Sequence, residues 1–159
     1  MAQQKTLVVG LGNPILGDDG VGWRVAEMVS EKLTDSAIEV DCLALGGLSL
    51  MERLIGYDRA IIIDAIQTED GVIGTVSQVD LQAMPDLTTG HTTAVHDTSF
   101  HSALKLGRQM GADLPEHIQF VTIEAAAVYD FSEEMTAAVK TAVPQAVDLV
   151  LGLLQRKFS

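Results

Sequence analysis

Short apolar runs alternate with amphipathic stretches along this chain, and the alternation predicts interleaved strands and helices. Four runs have the apolar content of buried strands: 6–9, 38–43, 59–65 and 118–123. Four stretches carry apolar residues at helical spacing: 21–33, 50–55, 98–110 and 136–155. The run Ile61-Ile62-Ile63 is β-branched throughout, which is typical of a central strand that is covered on both faces.

Two further segments complete the predicted order of elements. Residues 71–79 have the pattern of a strand that follows the previous one too closely for a helical crossover, so we expect an antiparallel neighbour. The polar stretch 81–95 is long for a loop in a compact domain, which favours a functional role. The order β-α-β-α-β-β-loop-α-β-α predicts a three-layer α/β sandwich around a mostly parallel sheet. No repeat or linker divides residues 1–159, so we expect a single domain.

Composition narrows the classes of function. The net charge of −12 opposes binding to nucleic acid or to anionic membranes, because both need a basic surface. We expect no membrane-spanning segment, since no run reaches about 18 apolar residues. The single cysteine, Cys42, cannot form an internal disulfide, which favours a reducing cytoplasm. Cys42 lies in an apolar strand pattern, where buried packing is expected rather than reactivity.

The glycine-rich stretch 8–22, VVGLGNPILGDDGVG, connects the first strand to the first helix. Such turns often bind phosphate, but here Ile15 stands where the third glycine of a dinucleotide-binding turn belongs. Asp18 and Asp19 also place negative charge where a phosphate would lie, and one like-charge pair at 4 Å costs about 4 kcal/mol at an intermediate dielectric. The turn therefore favours a cation or a capping role. We expect Asp18 to cap the helix, which leaves Asp19 as the candidate site residue.

Polar side chains at the carboxyl ends of parallel strands converge on one edge of the sheet. Asp19 follows the first strand, Asp64 ends the third, and Glu124 ends the last. The long loop, which is expected to lie over the same edge, adds His91, His96 and Asp97. Two carboxylates and an imidazole suit a divalent transition metal of the nickel or zinc type.

Each candidate also has a simpler structural role. Asp64 is placed to cap the next turn, and Glu124 to accept hydrogen bonds from loop amides. Asp97 is placed to be the N-cap of a helix that starts at Thr98, and His91 to be a solvated loop residue. The remaining histidines are expected at the surface: His101 and His117.

Other catalytic arrangements fit less well. There is no GxSxG motif for a serine nucleophile, and Ser99 has no recognisable oxyanion arrangement. Cys42 lies within a predicted strand. Carboxylate or metal-assisted chemistry remains, or no chemistry at all.

Several motifs, in order along nearly the whole chain, resemble the hydrogenase maturation endopeptidases, which trim a C-terminal tail from the precursor of the [NiFe]-hydrogenase large subunit. The motifs are Gly10-Leu11-Gly12-Asn13, Asp18-Asp19-Gly20-Val21-Gly22, Gly46-Gly47, Tyr57-Asp58-Arg59-Ala60-Ile61-Ile62-Ile63-Asp64-Ala65, and His96 ahead of a helix. Two regions depart from the family pattern: Leu48-Ser49 follows the glycine loop, and 123–129 lacks a proline.

The resemblance implies a fold, a site and a substrate. The fold implied is an α/β/α sandwich with a five-stranded sheet and one antiparallel strand. Asp19, Asp64 and His96 match the family's nickel-holding acids and histidine. The nickel is implied to arrive inside the hydrogenase precursor, so that the enzyme has no permanent metal of its own and cleaves only loaded substrate.

The residues leave the mechanism and two other functions open. The metal is suited to act as a Lewis acid on the scissile carbonyl or to activate water, and Asp19 or Asp64 to act as general base. One alternative is a non-catalytic nickel-sensing or chaperone module of the same fold. The other is a nucleotide-binding α/β protein, against which the missing third glycine and the two aspartates argue.

Overall fold

The computed structural model describes residues 3–44, 46–81, 95–126 and 131–156, with the side chains at 95–99 left out. The elements along the chain are β1 (Thr6–Leu11), a 3-10 turn (Gly17–Gly20), α1 (Val21–Lys32), β2 (Ile38–Leu43), α2 (Gly47–Leu54), β3 (Arg59–Ile66), β4 (Val76–Asp80), α3 (Val95–Gln109), β5 (His117–Glu124) and α4 (Ala137–Gln155). This is the predicted order of strands and helices.

The five strands form one sheet in the order β2-β1-β3-β5-β4, parallel except for β4. The predicted antiparallel strand is therefore confirmed, but its neighbour is β5 and not β3, the strand before it in the chain. β5 pairs with β3 along its whole length, from Arg59↔His117 to Ile66↔Glu124. Because β5 occupies that edge of β3, β4 pairs with the far side of β5, starting at Val76↔Ile123.

Helices cover both faces of the sheet, which confirms the three-layer sandwich. Side chains of a strand point alternately to its two faces. In β3, Ile61 and Ile63 belong to the core that α1 and α4 cover. Ala60 and Ile62 belong to the core that α2 and α3 cover. All four side chains are fully buried, as expected for a central strand.

Helix α4 corrects the expectation that no segment is apolar enough to span a membrane. Of the helices that the structure describes, α4 alone is long and apolar enough for this by length and composition. It meets this criterion of length and composition although Lys140 and Asp148 interrupt its apolar residues. Here Val143, Val147 and Val150 are buried in the core over the sheet, and the core helices of water-soluble proteins meet the same criterion.

A buried arginine fixes α4 at the amino edge of the sheet. The Arg59 guanidinium, 2% exposed at the start of β3, donates hydrogen bonds to the Leu153 carbonyl (2.8 Å), the Arg156 carbonyl (3.1 Å) and the Gln119 side chain (2.7 Å). Burial, and then the charge of Arg156, lowers the pKa of Arg59. A cation is favourable at this position because the C-terminal end of a helix carries partial negative charge.

Candidate active site

Close backbone contacts bring the glycine-rich turn to the end of β3. Gly12, at φ +140°, lies so close to Asp19 that a Cβ would overlap the Asp19 carbonyl oxygen. A Cβ on Gly22 would overlap the Leu11 carbonyl oxygen and come within 2.6 Å of that of Ile63. The start of helix α1 is therefore in close contact with the ends of β1 and β3. Since Ile63 directly precedes Asp64, the turn that holds Asp19 lies beside the strand that holds Asp64.

Asp18 does not cap its own helix, contrary to the expectation. Its carboxylate is 1% exposed and accepts three hydrogen bonds, from the Thr136 amide (2.6 Å), the Thr136 hydroxyl (2.9 Å) and the Ala126 amide (3.0 Å). Neither the 3-10 turn nor α1 has a side-chain cap hydrogen bond. Thr136 precedes the first residue of α4, where the helix dipole favours a negative charge. Asp18 thus ties the first helical turn to the start of the last helix.

Asp19 remains at the mouth of the turn. Its side chain is half-buried, and its Oδ2 accepts a hydrogen bond from the Asn13 amide at 2.9 Å. This bond closes the turn between β1 and α1 across six residues. The two neighbouring aspartates therefore differ in role, because Asp18 holds distant parts of the chain together and Asp19 stays at the carboxyl edge of the sheet.

Asp64 is a buried carboxylate at the same edge. Its side chain is 3% exposed, and strand alternation puts it on the same face as Ala60 and Ile62, which α2 and α3 cover. β3 continues to Ile66, so Asp64 lies two residues before the end of the strand, which corrects the expectation that the strand ends there. In the sheet Asp64 is paired with Thr122 of β5.

Helix α3 starts earlier than predicted and covers the face that carries Asp64. It begins at Val95 and not at Thr98, so position 96 lies in its first turn, and Asp97 lies inside the helix rather than at its N-cap. Phe100, one turn after position 96, is buried and packs edge-on against Phe120, with ring centroids 6.1 Å apart.

The direction of α3 puts its first turn toward the carboxyl edge. Beyond the end of the helix, the Asp113 carbonyl accepts a hydrogen bond from Gly56 at 2.9 Å, close to where β3 starts. The backbone position of His96 is therefore on the face and toward the edge where Asp64 lies. The side chain of His96 and the whole of His91 lie outside the described residues.

No complete metal site is present in the described part of the chain. Within 3–44, 46–81, 95–126 and 131–156, no three His, Cys, Asp or Glu side chains come close enough to hold a metal ion. The predicted ligand set includes His96, whose side chain is not described, and it therefore stays a prediction.

Glu124 accepts hydrogen bonds from a loop, which confirms the simpler structural role predicted for it. It is 5% exposed, and its Oε1 accepts hydrogen bonds from the amide and the hydroxyl of Thr68, both at 2.7 Å. Gly71 lies so close that a Cβ would overlap the Glu124 carboxylate. Glu124 thus holds the loop between β3 and β4. Its partners were missed from the sequence because Thr68 lies 56 residues away.

Cys42 is half-buried and not fully buried as expected. Burial, followed by the charges of Glu27 and Asp41, raises the pKa of its thiol to about 11. Because the thiolate is the nucleophile, a thiol that stays protonated at neutral pH is unreactive. The structure agrees with a packing role for Cys42 and not with nucleophilic catalysis.

Solved structures share this fold. The hydrogenase maturating endopeptidase HybD from Escherichia coli superimposes with a TM-score of 0.83 at 23% identity, covering 96% of this chain and 93% of that one. The [NiFe] hydrogenase maturation protease HybD from Thermococcus kodakarensis gives a TM-score of 0.73 at 25% identity, covering 94% and 99%. The chain therefore has the α/β fold of these proteins, with acidic residues at the carboxyl edge of its sheet.

The family model for hydrogenase maturation proteases matches residues 6–153, so the chain belongs to that family. The hydrogenase expression/formation protein HupD of Rhizobium leguminosarum is 28% identical over 154 residues, which are 95% of this chain and 74% of HupD. Family membership confirms the resemblance drawn from the motifs and makes the chain a protease, a hydrolase. It favours this class over the nucleotide-binding protein considered from the sequence.

Proposed function

We propose that this protein is an endopeptidase that removes the C-terminal extension from the nickel-loaded precursor of a [NiFe]-hydrogenase large subunit in the cytoplasm. Asp19, Asp64 and His96 hold the nickel, which arrives with the substrate, so that the protein needs no permanent metal of its own. The observation that carries this proposal is that buried Asp64 lies at the edge of the sheet, beside the turn of Asp19 and on the face covered by the helix whose first turn contains His96.

The donor set suits the proposed ion. Carboxylate and imidazole groups are ligands for divalent nickel, and three protein ligands leave coordination positions for groups of the substrate. Of the two aspartates in the turn, Asp19 takes the ligand role, because the carboxylate of Asp18 already accepts three hydrogen bonds. Glu124 is excluded from the set in the same way, since it holds Thr68.

The reaction is the hydrolysis of one peptide bond. Water adds to the scissile carbonyl carbon, the C–N bond breaks, and the leaving amine takes up the proton that the water gives up. Nickel in the substrate polarises the carbonyl or acidifies the water, or a carboxylate of Asp19 or Asp64 accepts the proton of the water. Cleavage thereby depends on nickel having been loaded.

The test is a mass measurement on the large-subunit precursor before and after incubation, with and without nickel. We expect a shortened product with the nickel-loaded precursor only. His96→Ala and Asp64→Asn are expected to abolish shortening while the fold is kept. The matched controls are His101→Ala, on the same helix, and Asp80→Asn, on an exposed strand, and both are expected to cleave normally.

The outcomes separate the candidate functions. Normal cleavage by either site variant means that the ligand assignment is wrong. A wild-type protein that binds the loaded precursor but never shortens it is a non-catalytic nickel-sensing or chaperone module. Equal cleavage of nickel-free precursor means that nickel has no part in recognition.

A further inference from the structure

Large exposed apolar side chains are concentrated around the proposed active site. Of the described residues of this kind, five lie at the carboxyl edge of the sheet, between 44% and 81% exposed: Ile15, Leu48, Val72, Ile73 and Phe131. We call these five the apolar rim. Scattered exposed apolar residues are normal, but a cluster at one end of a protein is typical of an interaction site.

The members of the apolar rim come from four separate connections. Ile15 follows β1, Leu48 is in the first turn of α2, and Val72 and Ile73 lie in the turn before β4. Phe131 lies between β5 and α4. Each connection starts where a parallel strand ends, so the fold brings all five residues to one edge. Because the four connections follow four of the five strands, the exposed apolar residues extend along most of this edge. Such an extended surface suits contact with a folded protein better than contact with a peptide tail alone.

Hydrogen bonds fix two parts of the apolar rim. The Ser132 amide donates to the Ile15 carbonyl at 2.8 Å, and the Gly17 amide donates to the Ser132 carbonyl at 2.7 Å. Phe131 therefore stands next to Ile15. On the other side, the Gly74 amide donates to the Glu124 carbonyl at 2.8 Å, which holds the turn of Val72 and Ile73 at the end of β5.

The rim includes a concave part next to the Asp19 turn. A cavity of about 230 Å³ lies between the apolar side chains of Ile15, Trp23 and Met135, and its lining also includes the charged residues Arg24, Glu27 and Glu133. Gly17 and Gly20, which flank the two aspartates of the turn, line the same cavity. Apolar pockets beside a reacting centre bind anchor side chains of a partner, and such anchors carry most of the binding free energy.

The charges around the apolar rim are predominantly negative; the exception is Arg24 at the cavity, whose guanidinium lies 4.0 Å from the carboxylate of Glu27. Glu69 and Asp70 precede Val72 with Gly71 between them, and Glu133 and Glu134 follow Phe131 with Ser132 between them; all four acidic residues are exposed. A partner surface with lysine and arginine around an apolar centre is complementary to this arrangement. A second copy of this chain is not, because it brings acidic flanks against acidic flanks.

We propose that the apolar rim is the docking surface for the folded hydrogenase precursor, which presents apolar side chains, ringed by basic residues, next to its metal. The inference rests on the proposed function for the identity of the partner. It adds that recognition uses the body of the substrate as well as its metal and its tail. An apolar side chain of the precursor enters the cavity beside Trp23.

The chain offers a matched control for this surface. Ile55, Leu106 and Met110 are also exposed apolar residues, at 44%, 44% and 78%, but they lie toward the opposite edge, at the ends of α2 and α3. Substitution of these residues removes a similar apolar area without touching the rim. Because all these side chains are exposed, serine at either set is expected to leave the melting temperature nearly unchanged.

The experiment compares the wild type, the rim variant Val72→Ser/Ile73→Ser/Phe131→Ser and the control Ile55→Ser/Leu106→Ser/Met110→Ser on nickel-loaded precursor. We expect the rim variant to raise the Kd for the precursor and the KM of cleavage roughly tenfold, with kcat unchanged, because it loses contacts made equally before and during the reaction. The control is expected to match the wild type. Added salt is expected to raise the wild-type Kd, since it screens the acidic flanks.

Each outcome has one meaning. If the wild type cleaves and the rim variant has unchanged Kd and KM, the docking surface is refuted while the proposed function stands. If the wild type binds without cleaving, the proposed function fails and the Kd values still decide on the rim. If the wild type neither binds nor cleaves, both the docking surface and the proposed function fail.

Sedimentation tests the oligomeric state. If it shows a wild-type dimer that the rim variant dissociates, the rim joins two copies of this chain, which overturns the inference. The single variant Val72→Ser replaces the triple variant if the latter does not fold.

Discussion

Asp18 and Asp19 are neighbours in the chain, but their carboxylates point to different parts of the molecule. Asp18 bonds to residues 108 and 118 positions away, whereas Asp19 bonds to the amide of Asn13 in its own turn. A sequence pattern indicates that acids belong at the start of this helix. It does not reveal that one of them holds α4, because those partners become neighbours only in the folded chain.

This difference predicts that the two alanine substitutions lower the stability by different amounts. Asp18→Ala is expected to lower the free energy of unfolding by about 3 kcal/mol, because it leaves buried donors at Thr136 and Ala126 without a charged acceptor. Asp19→Ala is expected to lower it by about 1 kcal/mol and to abolish cleavage. Urea denaturation and the mass assay measure the two effects. A larger loss of stability in Asp19→Ala than in Asp18→Ala contradicts the assignment.

The thiol of Cys42 gives a prediction about pH. Its pKa is raised from 9.0 to about 11, so alkylation by iodoacetamide is expected to be slow at pH 8 and half-maximal near pH 11. Between pH 9 and pH 11 the thiol of the unfolded chain ionises, whereas the thiol of the folded protein stays protonated. The free energy of unfolding is therefore not reduced by this group below pH 9, and it falls as the pH rises from 9 toward 11. A half-maximal rate near pH 9 means that the thiol is not shielded.

At the scale of elements, the close approach of α1 to the sheet decides where the site lies. Gly22 is in contact with the carbonyl groups of Leu11 and Ile63, and this contact sets the distance between the glycine-rich turn and β3. The glycine motif was visible in the sequence, but its packing reason was not, because it depends on two strands that meet only in the sheet. The early start of α3 was missed for a related reason: Phe100, whose burial anchors the first turns, packs on Phe120 of a later strand.

The contact predicts the effect of a methyl group on α1. Gly22→Ala is expected to lower the free energy of unfolding by about 2–3 kcal/mol, since backbone carbonyl groups on two strands have to move, and to slow cleavage. Gly152→Ala is the control, because a Cβ there meets nothing within 4 Å inside α4. It is expected to raise the stability by about 0.5–1 kcal/mol. Equal melting temperatures for the two variants contradict the close packing of Gly22 against the carbonyl groups of Leu11 and Ile63.

At the scale of the whole molecule, pattern and length were enough to predict the layers and the antiparallel strand. The β-branched run of β3 indicated a strand covered on both faces, and Ile61 to Ile63 are fully buried. Which strand stands beside β4 was not predictable, because the choice between β3 and β5 depends on pairings between residues far apart in the chain. The set of Asp19, Asp64 and His96 is predicted from strand ends and family motifs, and the cleavage assays of the variants above test it.

The insertion of β5 between β3 and β4 has a consequence for how the chain is made. A ribosome releases β3 and β4 well before it releases residues 117–124, so both strands wait with unpaired edges during synthesis. Open strand edges are sites of aggregation, and an acidic chain that repels its copies reduces that hazard. Fragments that stop before residue 117 are therefore expected to precipitate or to need a chaperone, whereas a peptide that supplies 117–156 in trans is expected to rescue them.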